Sequence, residues 1–154
     1  MKSCFFIGHR EASVEVLPAL EEAVEQHIVE YEVAEFIVGN YGGFDHMAAN
    51  AVIAAKKRHP EITASMLLPY HPAARSVKLP KEFDSAFYPP GMESVPRRLA
   101  IVHANRHMID HVDYLIAYAW HPASNARSLV EYAQKKGVSI INLGVTRCDA
   151  SRGK

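Results

Sequence analysis

The sequence predicts a doubly wound α/β domain, with a mainly parallel five-stranded sheet in the order 3-2-1-4-5 and helices on both faces. Three observations point there. Short apolar runs alternate along the chain with longer segments of helical period, and such alternation means right-handed crossovers and a parallel sheet. The runs are nearly continuous in apolar residues, as expected of strands buried on both sides. Each run gives way to glycine, proline or a polar cluster, which gathers those clusters at one rim. In open α/β sheets ligands bind beyond the carboxyl ends of the strands, where strand order reverses. Here that point falls between the first and fourth strands.

The elements follow in order. "SCFFI" (3–7) is rich in strand formers and stops at Gly8. Residues 17–31 are helical in period, with Pro18 suited to a first turn, where its missing N–H is not needed. "AEFIVG" (34–39) is the second strand, and the Ala-rich "HMAANAVIAAKKRH" (46–59) is a helix halted before Pro60. "TASMLLP" (63–69) is the third strand. Residues 70–94 form a long proline-rich connection, of the kind often used as a lid or binding loop. A short strand within "SAFY" (85–88) is left open. Ser94 is expected to cap a helix that has Pro96 in its first turn and runs to about His111. "DYLIAYAW" (113–120) is the fourth strand. A helix at 125–137 closes on Gly137, with Lys135 and Lys136 in its last turn, and "VSIINLG" (138–144) is the fifth strand.

A chain of 154 residues with 49% apolar content fits one domain, read as 1–144, followed by a polar tail at 145–154. Lys plus Arg equals Asp plus Glu at 17 each. No global field therefore draws in nucleic acid or an anionic membrane, and neither is an expected partner. No apolar run approaches the ~20 residues of a membrane helix. The opening "MKSCFFIGHRE" is too short and too polar after Ile7 to read as a signal peptide. Cys4 and Cys148 lie near opposite ends, and Cys4 reads as a small buried residue. A cytoplasmic protein without disulfides is the expectation.

Four clusters meet at the rim: "GHRE" (8–11), "GNYGGFD" (39–45), "PYHP" (69–72) and "WHPASNAR" (120–127). Gly39, Gly42 and Gly43, with Tyr41 among them, could bare amides to an anion at a helix tip, or simply form a tight βα turn. Their spacing matches neither a dinucleotide "GxGxxG" nor a Walker loop. Asp45 could accept from a ribose hydroxyl or favour the helix N-terminus. His9 and Arg10 sit just past a buried strand, where they could touch a ligand, although Arg10 could instead pair with Glu11. Tyr70 and Trp120 could sandwich a flat ring, with Arg75 or Arg127 reaching a phosphate. Ser128 and Glu131 could form a capping box, or Glu131 could face the ligand as acid, base or ribose partner. His103, His107 and His111 share one helix face, but a straight helix cannot wrap three imidazoles around one metal, and no metal site is assigned. Arg97 and Arg98 open that helix toward the crevice. The histidine face and the polar tail leave room for a second subunit, so a homo-oligomer stays open.

Several stretches together resemble the SLOG superfamily, most closely its small YpsA-like branch. That superfamily also holds the DNA-processing protein DprA and the cytokinin-activating "Lonely guy" phosphoribohydrolases. "FIGHRE" (6–11) looks like the branch's "TGHRP" opening, and "VGNYGGFDHMAANAV" (38–52) resembles its Gly-rich turn with a following Asp. "LLPY" (67–70), "NRHMIDHVDYLIAY" (105–118) and "VEYAQKKGVSIIN" (130–142) extend the likeness over nearly the whole chain. The resemblance implies a Rossmann-like domain for a nucleotide or nucleotide-derived ligand, lined by Gly8, His9 and Arg10 on one side and Gly42, Gly43 and Asp45 on another. Asn105 matches the Asn of the family's "RN" pair, while Ala104 stands in place of its Arg. The family's "GGT" is here Ser124, Asn125 and Ala126. Ser128 and Glu131 match the "TxxE" of the phosphoribohydrolase motif "PGGxGTxxE", without its glycines.

The reading is a binding or sensing domain for a phosphate-bearing, nucleotide-derived small molecule such as an ADP-ribose- or NAD-like compound. The alternative is a nucleotide N-glycosidase (phosphoribohydrolase) or nucleoside transferase with Glu131 as the catalytic carboxylate. A nucleic-acid scaffold is disfavoured by the zero net charge.

Overall fold

The computed structural model describes residues 1–144. Cys148 and the polar tail lie outside the described residues. Six parallel strands form one sheet: β1 (Lys2–Gly8), β2 (Val33–Val38), β3 (Thr63–Leu67), β4 (Ser85–Phe87), β5 (Tyr114–Tyr118) and β6 (Ser139–Asn142). Their spatial order is β4-β3-β2-β1-β5-β6. This is the expected doubly wound, Rossmann-like arrangement with one strand added at the β3 edge. The helices are α1 (Leu17–Val29), α2 (Gly43–Arg58), α3 (Ala100–His111) and α4 (Asn125–Lys135).

The pleat of β1 explains the layering. Cys4 and Phe6 face one way, into a core with Leu20 and Val24 of α1 and Phe44 and Val52 of α2. Phe5 and Ile7 face the other way, against Ala104 and Met108 of α3 and Leu129 and Val130 of α4. Both faces of the strand are thus buried, and each large side chain contributes on the order of 1.5–3 kcal/mol of burial. Phe6 and Phe36 stack at 6.0 Å across β1 and β2. Cys4 is fully buried, and burial pushes its thiol far above the ordinary range, so it packs as an inert small residue.

Two expectations change. The sheet has six strands, not five. The added β4 is three exposed residues long and pairs with β3 at Ser65, Met66 and Leu67. Asp84, just before it, accepts from the Ala64 amide at 2.8 Å and pairs with Lys56 at 2.7 Å, so polar contacts hold the edge. The third helix starts at Ala100, not beside Ser94. Val95 precedes a proline and is extended (φ −86°, ψ 130°), which breaks the helical path. Ser94 donates to the Gly91 carbonyl instead, and residues 97–99 form a separate 3-10 turn.

Candidate functional site

The strand order reverses between β1 and β5, and a cavity of about 380 Å³ opens there. It lies near the small end of the ~300–1,000 Å³ typical of ligand sites. The ends of β1, β2 and β3 and the starts of α3 and α4 build its wall.

The β1 end supplies Gly8, His9 and Arg10. A β-carbon at position 8 would run into the Phe44 ring, so only glycine lets α2 pack this close to the strand. The β2 end supplies Gly39, Tyr41 and Asp45. Asp45 folds back so that Oδ2 accepts from the Tyr41 amide at 3.0 Å, a relative of the capping box. Desolvation raises its carboxyl from 3.8 to about 6, while the Tyr41 hydrogen bond works in the opposite direction. Asp45 is the one carboxylate among the lining residues.

The start of α4, which follows the loop after β5, supplies Ser124, Asn125 and Ala126. Ser124 caps α4, its Oγ accepting from the Arg127 amide at 3.1 Å. The amides of Asn125 and Ala126 have no partner among the described residues. The α4 N-terminus therefore brings two uncommitted donors and a partial positive charge to the wall. Arg98 from the 97–99 turn and Asn105 from α3 complete the polar side. Neither Arg10 nor Arg98 makes a salt bridge among the described residues, and the Arg10–Glu11 pair does not form. Leu67, Ile101 and Leu129 add apolar surface to the wall.

No protein-family model and no curated protein matches this chain.

Several residues singled out from the sequence lie elsewhere. Gly42 and Gly43 do not line the cavity. Gly42 takes φ 137°, open to glycine, and turns the chain into α2. The Gly43 amide donates to Arg10 O at 2.6 Å and the Phe44 amide to His9 O at 3.4 Å, so the loop after β1 already occupies this helix tip. Tyr70 and Trp120 do not form a sandwich around the cavity. The Tyr70 ring has Arg75 at 4.5 Å, Arg97 at 5.6 Å and Tyr41 at its edge. Trp120 is 54% exposed and packs on His9. Glu131 is exposed outside the cavity, 3.7 Å from Arg127. Ser128 is exposed one turn into α4, and its amide bonds Ser124 O, so Ser124 rather than Ser128 is the cap. On α3, His111 Nδ1 lies 2.7 Å from the His107 carbonyl and the two rings stack.

One positioning residue escapes the sequence reading. Asn142, at the end of β6, accepts from the Ala119 and Gly144 amides and donates to Ala119 O. It anchors the start of the loop that leads to α4. The signal was a lone Asn closing the apolar run "VSIIN".

Proposed function

We propose that this chain is a SLOG-type binding or sensing domain for a compact, phosphate-bearing, nucleotide-derived small molecule, with ADP-ribose- and NAD-like compounds as the first candidates. One observation carries the reading. Two arginines without carboxylate partners among the described residues, and the two amides of the α4 tip left uncommitted there, share one cavity. An anion there would gain charge-assisted hydrogen bonds and would neutralise the arginines. The apolar wall suits the flat or hydrophobic remainder of the ligand. Asp45 suits a ligand hydroxyl, which can donate to it.

A thermal-shift panel of AMP, ADP-ribose, NAD and other nucleoside monophosphates at millimolar concentration tests the reading. A ligand at about a hundred times its Kd adds about 2.7 kcal/mol to the folded state. In a chain of this size that is a rise in Tm of roughly 5–10 °C. No shift with any member would overturn the proposal.

A catalytic reading, cleavage or transfer at an N-glycosidic bond, needs a carboxylate at the ligand. Glu131 is not among the residues that line the cavity, whereas Asp45 lines it with a raised pKa. If base is released from a nucleoside monophosphate, Asp45→Asn abolishes the release and Glu131→Gln leaves it unchanged.

A further inference from the structure

We propose that His9 is a proton-sensitive latch, whose neutral imidazole holds the β5–α4 loop where it points the α4 N-terminus into the cavity. Its Nε2 accepts from the Trp120 amide at 3.0 Å and from the His121 amide at 3.3 Å. Backbone N–H groups are donors only. Nε2 must therefore present its lone pair, and Nδ1 carries the ring proton. The ring is further fixed edge-on to Tyr118 at 5.5 Å and to Trp120 at 5.3 Å. The His9 amide itself donates to Tyr118 O at 3.2 Å, so the side chain bridges the ends of β1 and β5. Three residues beyond His121, Ser124 caps α4, and the Asn125 and Ala126 amides follow.

A proton on Nε2 turns both contacts into opposed donors. The Trp120 and His121 amides lose their acceptor, and the loop loses its tie to β1. The groups around the ring set the direction. His121 lies on the same loop, Arg10 is next in the chain, the Tyr118 phenol belongs to β5, and Arg98 and Asp45 line the same cavity. Of these, His121 opposes a charged imidazole. Burial first, and His121 second, hold His9 below the usual histidine value. A lowered folded pKa means that the latch is intact above the unfolded value of about 6.5 and is lost as pH falls below it. The consequence for a bound ligand rests on the function proposed above, but the latch does not.

The chain's single tryptophan gives a readout that needs no ligand. A protonated imidazole beside an indole quenches its emission. Trp120 emission in the full chain, titrated from pH 8 to pH 5, is expected to fall along a one-proton curve with its midpoint below 6.5. His9→Gln, which keeps an acceptor oxygen and cannot titrate, flattens the curve while far-UV circular dichroism stays native. His121→Asn removes the other imidazole near Trp120, at 5.4 Å, and leaves a one-proton curve whose midpoint moves up, because His121 no longer opposes the charge on His9. A flat wild-type titration, a curve that survives His9→Gln, or one that disappears in His121→Asn alone would each overturn the latch. None of these outcomes depends on whether a nucleotide binds.

Discussion

Gly39 and Asp45 are fitted to each other: a β-carbon on Gly39 would stand 2.7 Å from Asp45 Oδ2. The missing side chain gives the carboxylate room to fold back over the β2 end, reach the Tyr41 amide and stay out of water. The same small space thus raises the Asp45 pKa and turns the group toward the cavity.

Asp45 should cost stability at neutral pH. Between about pH 4 and 6 the native carboxyl keeps its proton while the unfolded one has released it, so stability falls as pH rises through that window and levels off above 6. A shift from 3.8 to about 6 corresponds to roughly 2–3 kcal/mol at about 1.36 kcal/mol per pH unit. Asp45→Asn keeps an acceptor for Tyr41 and removes the titration. Urea melts at pH 4, 5, 6 and 7 should show the variant gaining on wild type as pH rises. A constant difference would contradict the buried-carboxylate account.

Two glycine substitutions should differ in size. Gly39→Ala meets only the end of the Asp45 side chain, which can swing away at the loss of one hydrogen bond, about 0.5–1.5 kcal/mol. Gly8→Ala meets the ring of Phe44, which is fully buried and has nowhere to go. Overpacking of that kind costs about 1–3 kcal/mol or more. Chemical denaturation should rank Gly8→Ala as the more damaging change.

Glu131→Gln should change stability by no more than about 0.5 kcal/mol, because it breaks only an exposed i,i+4 pair with Arg127. It should leave any ligand-induced rise in Tm intact. A lost ligand response in this variant would bring Glu131 back into the site.

Asp84→Ala should loosen the sheet edge. Its carboxylate holds the Ala64 amide and Lys56, and removing it leaves a part-buried donor unpaired at about 1–3 kcal/mol. Faster hydrogen exchange at the Ala64 amide, with the β1 amides unchanged, would check it.

The legibility of the sequence follows from what kind of contact holds each part. The five long strands and four helices are written in apolar runs and helical periods, so the layer order and the crossover point could be read directly. β4 could not be counted, because Asp84 and Ser65 hold it and no burial pattern marks it. At the site, the cavity brings together Gly8, His9, Arg10, Gly39, Tyr41, Asp45, Ser124 and Asn125 from the rim clusters, Arg98 from before the third helix, and Asn105, which only the family resemblance singles out. The rim prediction mistook the roles of two helix tips. Glycines draw attention to α2, yet the carbonyls of His9 and Arg10 occupy its amides, and such a backbone-to-backbone contact leaves no trace in side-chain identity. The open tip belongs to α4, where Ser124 takes only one amide. Tyr70 and Trp120 look like a ring clamp in one dimension, but each already has a neighbour in the fold, arginines for one and His9 for the other.

The central claim is that Arg10, Arg98 and the α4 tip hold an anion. Calorimetric titration of AMP and ADP-ribose into wild type and an Arg10→Gln/Arg98→Gln double variant tests it most directly. The account predicts saturable binding to wild type by at least one of the two, weakened about tenfold or more in the double variant, since one charge-assisted contact is worth about 1.4 kcal/mol or more. Equal affinity in both proteins, or no heat with either compound, would contradict it.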